Sequence, residues 1–224
     1  MQLTEQTLNV LRNFSSIQSN LVVEAGCKIK TMAEARNVMS SAMLAQEFPQ
    51  DFGIYDLNEF LNVLSLVDDP KLDFSDEYVR VTDSTGRSAV KYFFADSNIL
   101  TSPSKDINMP ECEVNFTLDE STLSRVRKAA SVLGHEKMTI EANDGAIRLT
   151  VTDNNDSTSN SFVIDVPGTY QSDNFCFVMN ISNMKLISGD YEVGISSKLL
   201  SQFTNKNVDV VYYIALEKSS TYGE

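Results

Sequence analysis

An internal repeat constrains this chain more than any single motif does. Thr7-Leu8-Asn9-Val10-Leu11-Arg12-Asn13 is matched by Thr122-Leu123-Ser124-Arg125-Val126-Arg127-Lys128 about 115 positions later. Phe52 and the run Tyr55–Phe60 are answered by Phe175 and the run Met179–Met184, and Ser88–Phe94 by Asn207–Tyr213. Matches that keep their order along the chain indicate two copies of one unit. Each copy reads β-α-β-β-β, then β-α-β-β-β. The expected division is a first domain at 1–100, a connector at 101–112 and a second domain at 113–224. The connector is marked by Pro103, Pro110 and the polar residues between them. Ten extended residues there reach about 33 Å, enough to cross a domain face.

Strand signals dominate. Met138 and Ile140 alternate with polar residues up to Asn143-Asp144-Gly145, and Ile147, Leu149 and Val151 alternate after it. That pattern is a β-hairpin with one buried face. Phe162, Ile164 and Val166 continue it, as do Tyr191, Val193 and Ile195. Val208, Val210, Tyr212, Ile214 and Leu216 form the longest alternation. Four segments read as helices. The first is capped by Thr4 and carries Leu8, Leu11 and Phe14. The second starts at Asp56 with Glu59 three residues on. The third runs from about Asp119 to Leu133, with Leu123, Val126, Ala130 and Leu133 on one face. The fourth spans Asn180 to Ile187 and stops at Gly189. The fold class is therefore α+β.

Little in the chain points to catalysis. His135 is the single histidine and falls at a helix end. Cys27, Cys112 and Cys176 are scattered without C-x-x-C spacing, so a zinc site of usual composition is not expected. Phosphate-cradling glycine loops and the G-x-S-x-G elbow are missing from the sequence, so no cofactor is expected. Asp153–Asp156 reads as a polar hairpin tip, because a calcium loop would need Gly at Thr158 and Glu at Ile164. No apolar run approaches a membrane span, and Met1–Gln6 has neither the basic nor the apolar stretch of a secretory signal.

Charge is more informative when its placement is followed. Thirty-one acids against eighteen bases give −13, which argues against a generic nucleic-acid binder. Yet Thr122–Leu133 contains no acid. On a helical wheel Lys128 points nearly opposite the apolar cluster, Arg125 lies well away from it and Arg127 lies on the flank. Arg12 flanks the first helix, with Asn9 and Asn13 facing away from its core side, and Lys185 belongs to the fourth helical segment. Cations recur on equivalent helices of an otherwise acidic chain.

These residues support a comparison. The chain resembles the DNA polymerase sliding clamps, the processivity factors of T-even-type bacteriophages. The resemblance is carried by Ile54–Val67, by Leu11-Arg12-Asn13-Phe14 with Ile17, by Asn180–Lys185 with Gly189-Asp190-Tyr191, and by Tyr213–Glu217 with Ser219 and Ser220. It spans nearly the whole length and is weakest over 24–48 and 196–210. Tyr92 stands where the phage clamps have Trp.

The resemblance implies a DNA-clamp fold: a homotrimeric ring of two-domain subunits, with β-sheets outside and two helices per domain lining a central hole. It implies double-stranded DNA held by topology and without sequence preference, the replicative DNA polymerase, a separate ATP-driven clamp-loader complex and viral late-transcription factors as partners. The setting would be the cytoplasm of the infected bacterial host, without a membrane, and the role non-enzymatic. Arg12, Lys128 and Lys185 match basic positions of the phage clamps, and the wheel adds Arg125 and Arg127 to the DNA-facing set. Partner peptides or neighbouring subunits would meet Tyr92, Phe93, Phe94, Ile107, Met109 and Tyr212. Two other readings compete: a β-rich virion or adhesion module, and a hydrolase using paired carboxylates.

Overall fold

The structure is a computed structural model and describes residues 1–153, 156 and 158–223. Asn154 and Asn155 of the expected polar tip lie outside the described residues. The chain divides into two compact units, Met1–Asp106 and Ile107–Glu224, so the division falls inside the proline-bearing connector.

The first unit runs α1 (Glu5–Ile17), β1 (Leu21–Val23), β2 (Gly26–Met32), β3 (Val38–Phe48), β4 (Phe52–Ile54), α2 (Leu57–Ser65), β5 (Lys71–Phe74), β6 (Tyr78–Thr82) and β7 (Ala89–Phe93). Its strands form two antiparallel sheets, ordered β3-β2-β1-β4 and β5-β6-β7. Met1 exchanges backbone hydrogen bonds with Leu72, but no strand precedes α1, so the leading strand of the expected β-α-β-β-β pattern is missing from the first unit among the described residues. The Thr4 hydroxyl accepts from Thr7 N–H and caps α1. The helix buries Thr7, Val10, Leu11, Phe14 and Ile17, a stripe at three- and four-residue spacing, against α2, β2 and β3. Leu8, expected in that stripe, is half-buried and Val10 takes its place. Asp56 caps α2 by accepting from Asn58 and Glu59 N–H at 2.9 and 3.2 Å.

The second unit runs β8 (Val114–Leu118), α3 (Glu120–Leu133), β9 (Lys137–Asn143), β10 (Ala146–Val151), β11 (Phe162–Val166), β12 (Gly168–Tyr170), β13 (Phe175–Asn180), β14 (Tyr191–Ser196), β15 (Leu200–Asn205), β16 (Val210–Ala215) and β17 (Thr221–Tyr222). Its antiparallel sheets are ordered β12-β8-β14-β15-β16 and β11-β10-β9-β13-β17. The β9–β10 hairpin closes on Asp144-Gly145. Both have positive φ (47° and 82°), as a two-residue turn matching strand twist requires. Asp119 caps α3 by accepting from Thr122 N–H at 2.7 Å, and Gly134 ends the helix in the left-handed conformation.

One expected helix is absent. Over Asn180–Ile187 the described structure holds only a 3-10 turn, Ile181–Asn183. The Asn180 carboxamide accepts from Ser182 N–H at 2.9 Å and caps this single turn, but no α-helix propagates from it. Eight residues give few helical bonds to offset the cost of the first turn. The segment beyond is held instead by side chains remote in sequence.

Candidate nucleic-acid interface

The cations expected to face DNA divide between the two units. Arg12 stands on the exposed side of α1, where its guanidinium donates to Glu5 at 2.7 Å and to the Asn9 carboxamide at 2.9 Å. Both partners of the ion pair are more than half exposed. Such a pair contributes little to stability, and a phosphate replaces the carboxylate at small cost.

The remaining four belong to the second unit. Arg125 and Lys128 are exposed on α3. Arg125 lies over the Phe162 ring, 5.6 Å from its centroid, which orders a long side chain while leaving its charge outward. The two cations border a shallow cavity of about 430 Å³ with Ala129, Val132, Leu133 and Phe162. Lys185 is exposed between the buried side chains of Met184 and Leu186.

Arg127 lies on the flank of α3, as the wheel places it, and turns inward. It is half-buried, and its Nη2 donates to the backbone carbonyls of Met184 and Leu186, the latter at 3.1 Å. Burial lowers its pKa from the usual arginine value, with the nearby Tyr191 and Tyr212 hydroxyls opposing the shift. Its guanidinium is committed to the protein's own backbone. A wheel reports the angle around a helix and not what packs against that angle.

The residues expected to receive partner peptides also separate. Tyr92 is 8% exposed, sits edge-on to Phe60 at 5.2 Å and donates its hydroxyl to the Asp56 carbonyl. Tyr212 is 1% exposed. Its ring lies 6.2 Å from Tyr191, and its hydroxyl accepts from Ile187 N–H at 3.2 Å. Burial holds its phenol well above the ordinary tyrosine pKa. Both tyrosines are core members and offer no surface to a peptide. Phe94 is half-buried beside Phe52 at 4.8 Å, within a cluster that includes Phe74. Phe93 is 63% exposed. Ile107 and Met109 are half-buried at the start of the second unit.

Two features went unread in the sequence. Ala95 pairs with Gly53, and a side chain at Gly53 would meet the Ala95 carbonyl and Leu100. Farther along, Asp106 accepts from Lys28 at 2.9 Å and lies 3.9 Å from Lys30. The hydrogen bond from Lys28 and the two ammonium charges hold the Asp106 carboxyl below its ordinary pKa. The stretch before the connector is thus tied to β4, and the connector's first half to β2. Only the i, i+2 spacing of Lys28 and Lys30, which puts both on one face of β2, signals this.

Comparison with known proteins is consistent across three levels. Residues 4–102 match a family described as DNA polymerase processivity factor, and residues 115–218 match one described as gp45 sliding clamp, C terminal. The sliding clamp of Vibrio phage KVP40 is 31% identical, with 97% of this chain and 99% of that protein covered. The sliding clamp of Escherichia phage RB69 is 30% identical, with 99% of each chain covered. Among solved structures, the proliferating cellular nuclear antigen of Entamoeba histolytica superposes with a TM-score of 0.70 at 15% identity, covering 94% of each chain. The A. fulgidus PCNA bound to a C-terminal region of FEN-1 gives 0.74 at 14% identity, covering 98% of each chain. At such identities these two establish the fold alone.

Proposed function

The chain belongs to the bacteriophage sliding clamps, and from that membership we propose that three copies close into a ring around duplex DNA. It is a DNA polymerase processivity factor: it tethers the replicative polymerase to its template. Arg12, Arg125, Lys128 and Lys185 face the duplex, and Arg127 acts from behind them. The observation that carries this reading is the placement of exposed cations on α1, on α3 and at Lys185 in a chain of net charge −13. Every neutralised phosphate adds counterion-release free energy, with a slope of about 0.9 per contact in the salt dependence. A strongly basic bore would hold its position, whereas a few cations per subunit centre the duplex and let it slide.

A ring needs opening, and the chain carries no nucleotide-binding loop of its own. A separate ATP-driven loader supplies that step. Phe93, Phe94, Ile107 and Met109 are the members of the expected set still accessible to partner tails, those of the polymerase and of viral late-transcription factors. Among the described residues no helix is long and apolar enough to cross a membrane. The host cytoplasm, where the viral template is copied, is the proposed setting.

Retention on DNA tests the reading. Loaded onto a nicked circle, the protein stays bound through a wash at moderate salt, and linearising the circle releases it. Equal loss from circle and linear DNA would remove encirclement. Native mass should give three times the chain's 24.9 kDa; a stable monomer under loading conditions would remove the ring.

A further inference from the structure

We infer that Arg127 is a positioning residue for Lys185: by bonding the carbonyls on either side of it, Arg127 fixes the lysine relative to the cations of α3. The inference rests on the reading that Lys185 and α3 face the duplex, and goes beyond it by naming what sets their spacing.

The segment around Lys185 has no regular secondary structure of its own after the turn at Ile181–Asn183. Such a segment would be expected to present a long flexible ammonium loosely. Besides the local bonds from Met184 N–H to Ile181 O and from Lys185 N–H to Asn183 O, side chains from outside the segment hold it through four hydrogen bonds. The Arg127 guanidinium donates to Met184 O and Leu186 O. Ile187 N–H donates to the Tyr212 hydroxyl, and the Tyr191 hydroxyl donates to Ile187 O. Met184 and Leu186 point their side chains into the core, so Lys185, between them, points out. Arg127 precedes Lys128 on α3, so the brace joins the loop to the helix at the level of an outward cation. A planar guanidinium reaching two carbonyls suits this task, because one side chain then fixes two backbone groups.

The alternative role for Arg127 is one more phosphate contact. The two roles differ in how Arg127 and Lys185 combine. The experiment measures binding of the full chain to fluorescently labelled duplex DNA across a salt series, for the parent, Lys185→Ala, Arg127→Met and the double variant. Hydrogen exchange at the amides of residues 184–188 is read alongside. The expected result is a salt slope lower in Lys185→Ala by about 0.9 for each Lys185 that meets a phosphate, up to three per ring, a comparable loss in Arg127→Met, and no further loss in the double variant. Exchange at 184–188 rises in Arg127→Met while the amides of α3 stay protected.

Losses that add in the double variant would make Arg127 a direct contact and overturn the inference. A parent-like slope in Arg127→Met, with Lys185→Ala reduced, would reduce Arg127 to a structural residue and also overturn it. A parent-like slope in Lys185→Ala would instead remove Lys185 from the DNA face, and the inference would fall with that reading. Should Arg127→Met fold poorly, Arg127→Gln, which retains a single carbonyl donor, takes its place and is expected to fall between the parent and the loss seen in Lys185→Ala.

Discussion

At Gly53 the backbone of β4 and the stretch leading into the connector approach so closely that no side chain fits between them. A Cβ there would lie 2.5 Å from the Ala95 carbonyl oxygen and 2.8 Å from Leu100 Cδ1. The leucine tip can turn aside, but the carbonyl is backbone and accepts no such adjustment. Gly53→Ala should therefore destabilise the protein by roughly 1–3 kcal/mol, the cost of overpacking a tight contact. Urea unfolding is the measurement. Exchange at Ala95 N–H, which donates to the Gly53 carbonyl at 2.9 Å, should rise with it. A variant of parent stability would mean that the stretch leading into the connector moves freely off β4. At the same scale Tyr92 and Tyr212 are core side chains, 8% and 1% exposed, with their hydroxyls bonded to the protein's own backbone. For Tyr212 the alternation with Val210 and Ile214 already gave the buried phase.

Among the elements, α3 depends most visibly on its start. Asp119 accepts hydrogen bonds from the Ser121 hydroxyl and from the N–H and hydroxyl of Thr122, and these depress its pKa below the ordinary 3.8. A depressed carboxyl contributes stability that is present above its unfolded value and lost as the pH falls through its folded one. Asp119→Ala should cost about 1 kcal/mol at neutral pH, and the gap from the parent should shrink below about pH 4 as the parent's own cap is protonated. Denaturant titration at pH 7 and pH 3 measures both; a gap that does not vary with pH would assign the effect to helix propensity alone. The caps of α1 and α2 were legible because each is written within four residues, and the start of α3 was legible at about Asp119. The expected helix over 180–187 was not, although Ile181, Met184 and Ile187 have helical spacing. Its conformation is held by Arg127, Tyr191 and Tyr212 from elsewhere in the chain, and spacing does not encode such partners. The cations divide in the same way. Helix periodicity showed that Lys128 and Arg125 point outward, while the inward bonds of Arg127 needed the fold.

For the whole molecule, the acidic balance and the basic faces act together. Neutralising Arg12, Lys128 and Lys185 as a set should leave the trimeric assembly intact while shortening processive synthesis, with the gap from the parent narrowing as salt rises. Each lost phosphate contact removes about 0.9 from the salt slope. Primer extension on a long single-stranded circle, with loader and polymerase present, reads run length directly. Parent-like run length at moderate salt would count against these residues as the DNA face. The matches of the repeat pair α1 with α3, but they also pair α2 with a stretch that holds only a 3-10 turn. The connector was legible as a boundary and illegible as a structural part of the first unit.

That last feature bears on how the molecule can be taken apart. Because Asp106 neutralises Lys28 and stands beside Lys30, whose side chain is only 15% exposed, the first half does not end with its last strand. A recombinant fragment cut at residue 100 would leave Glu24, 3.8 Å away, to carry the charge of Lys30, whereas one extended through residue 106 keeps its own counter-ion. Dissection of this chain into halves belongs after the strap, and what reads as spacer should travel with the half that precedes it.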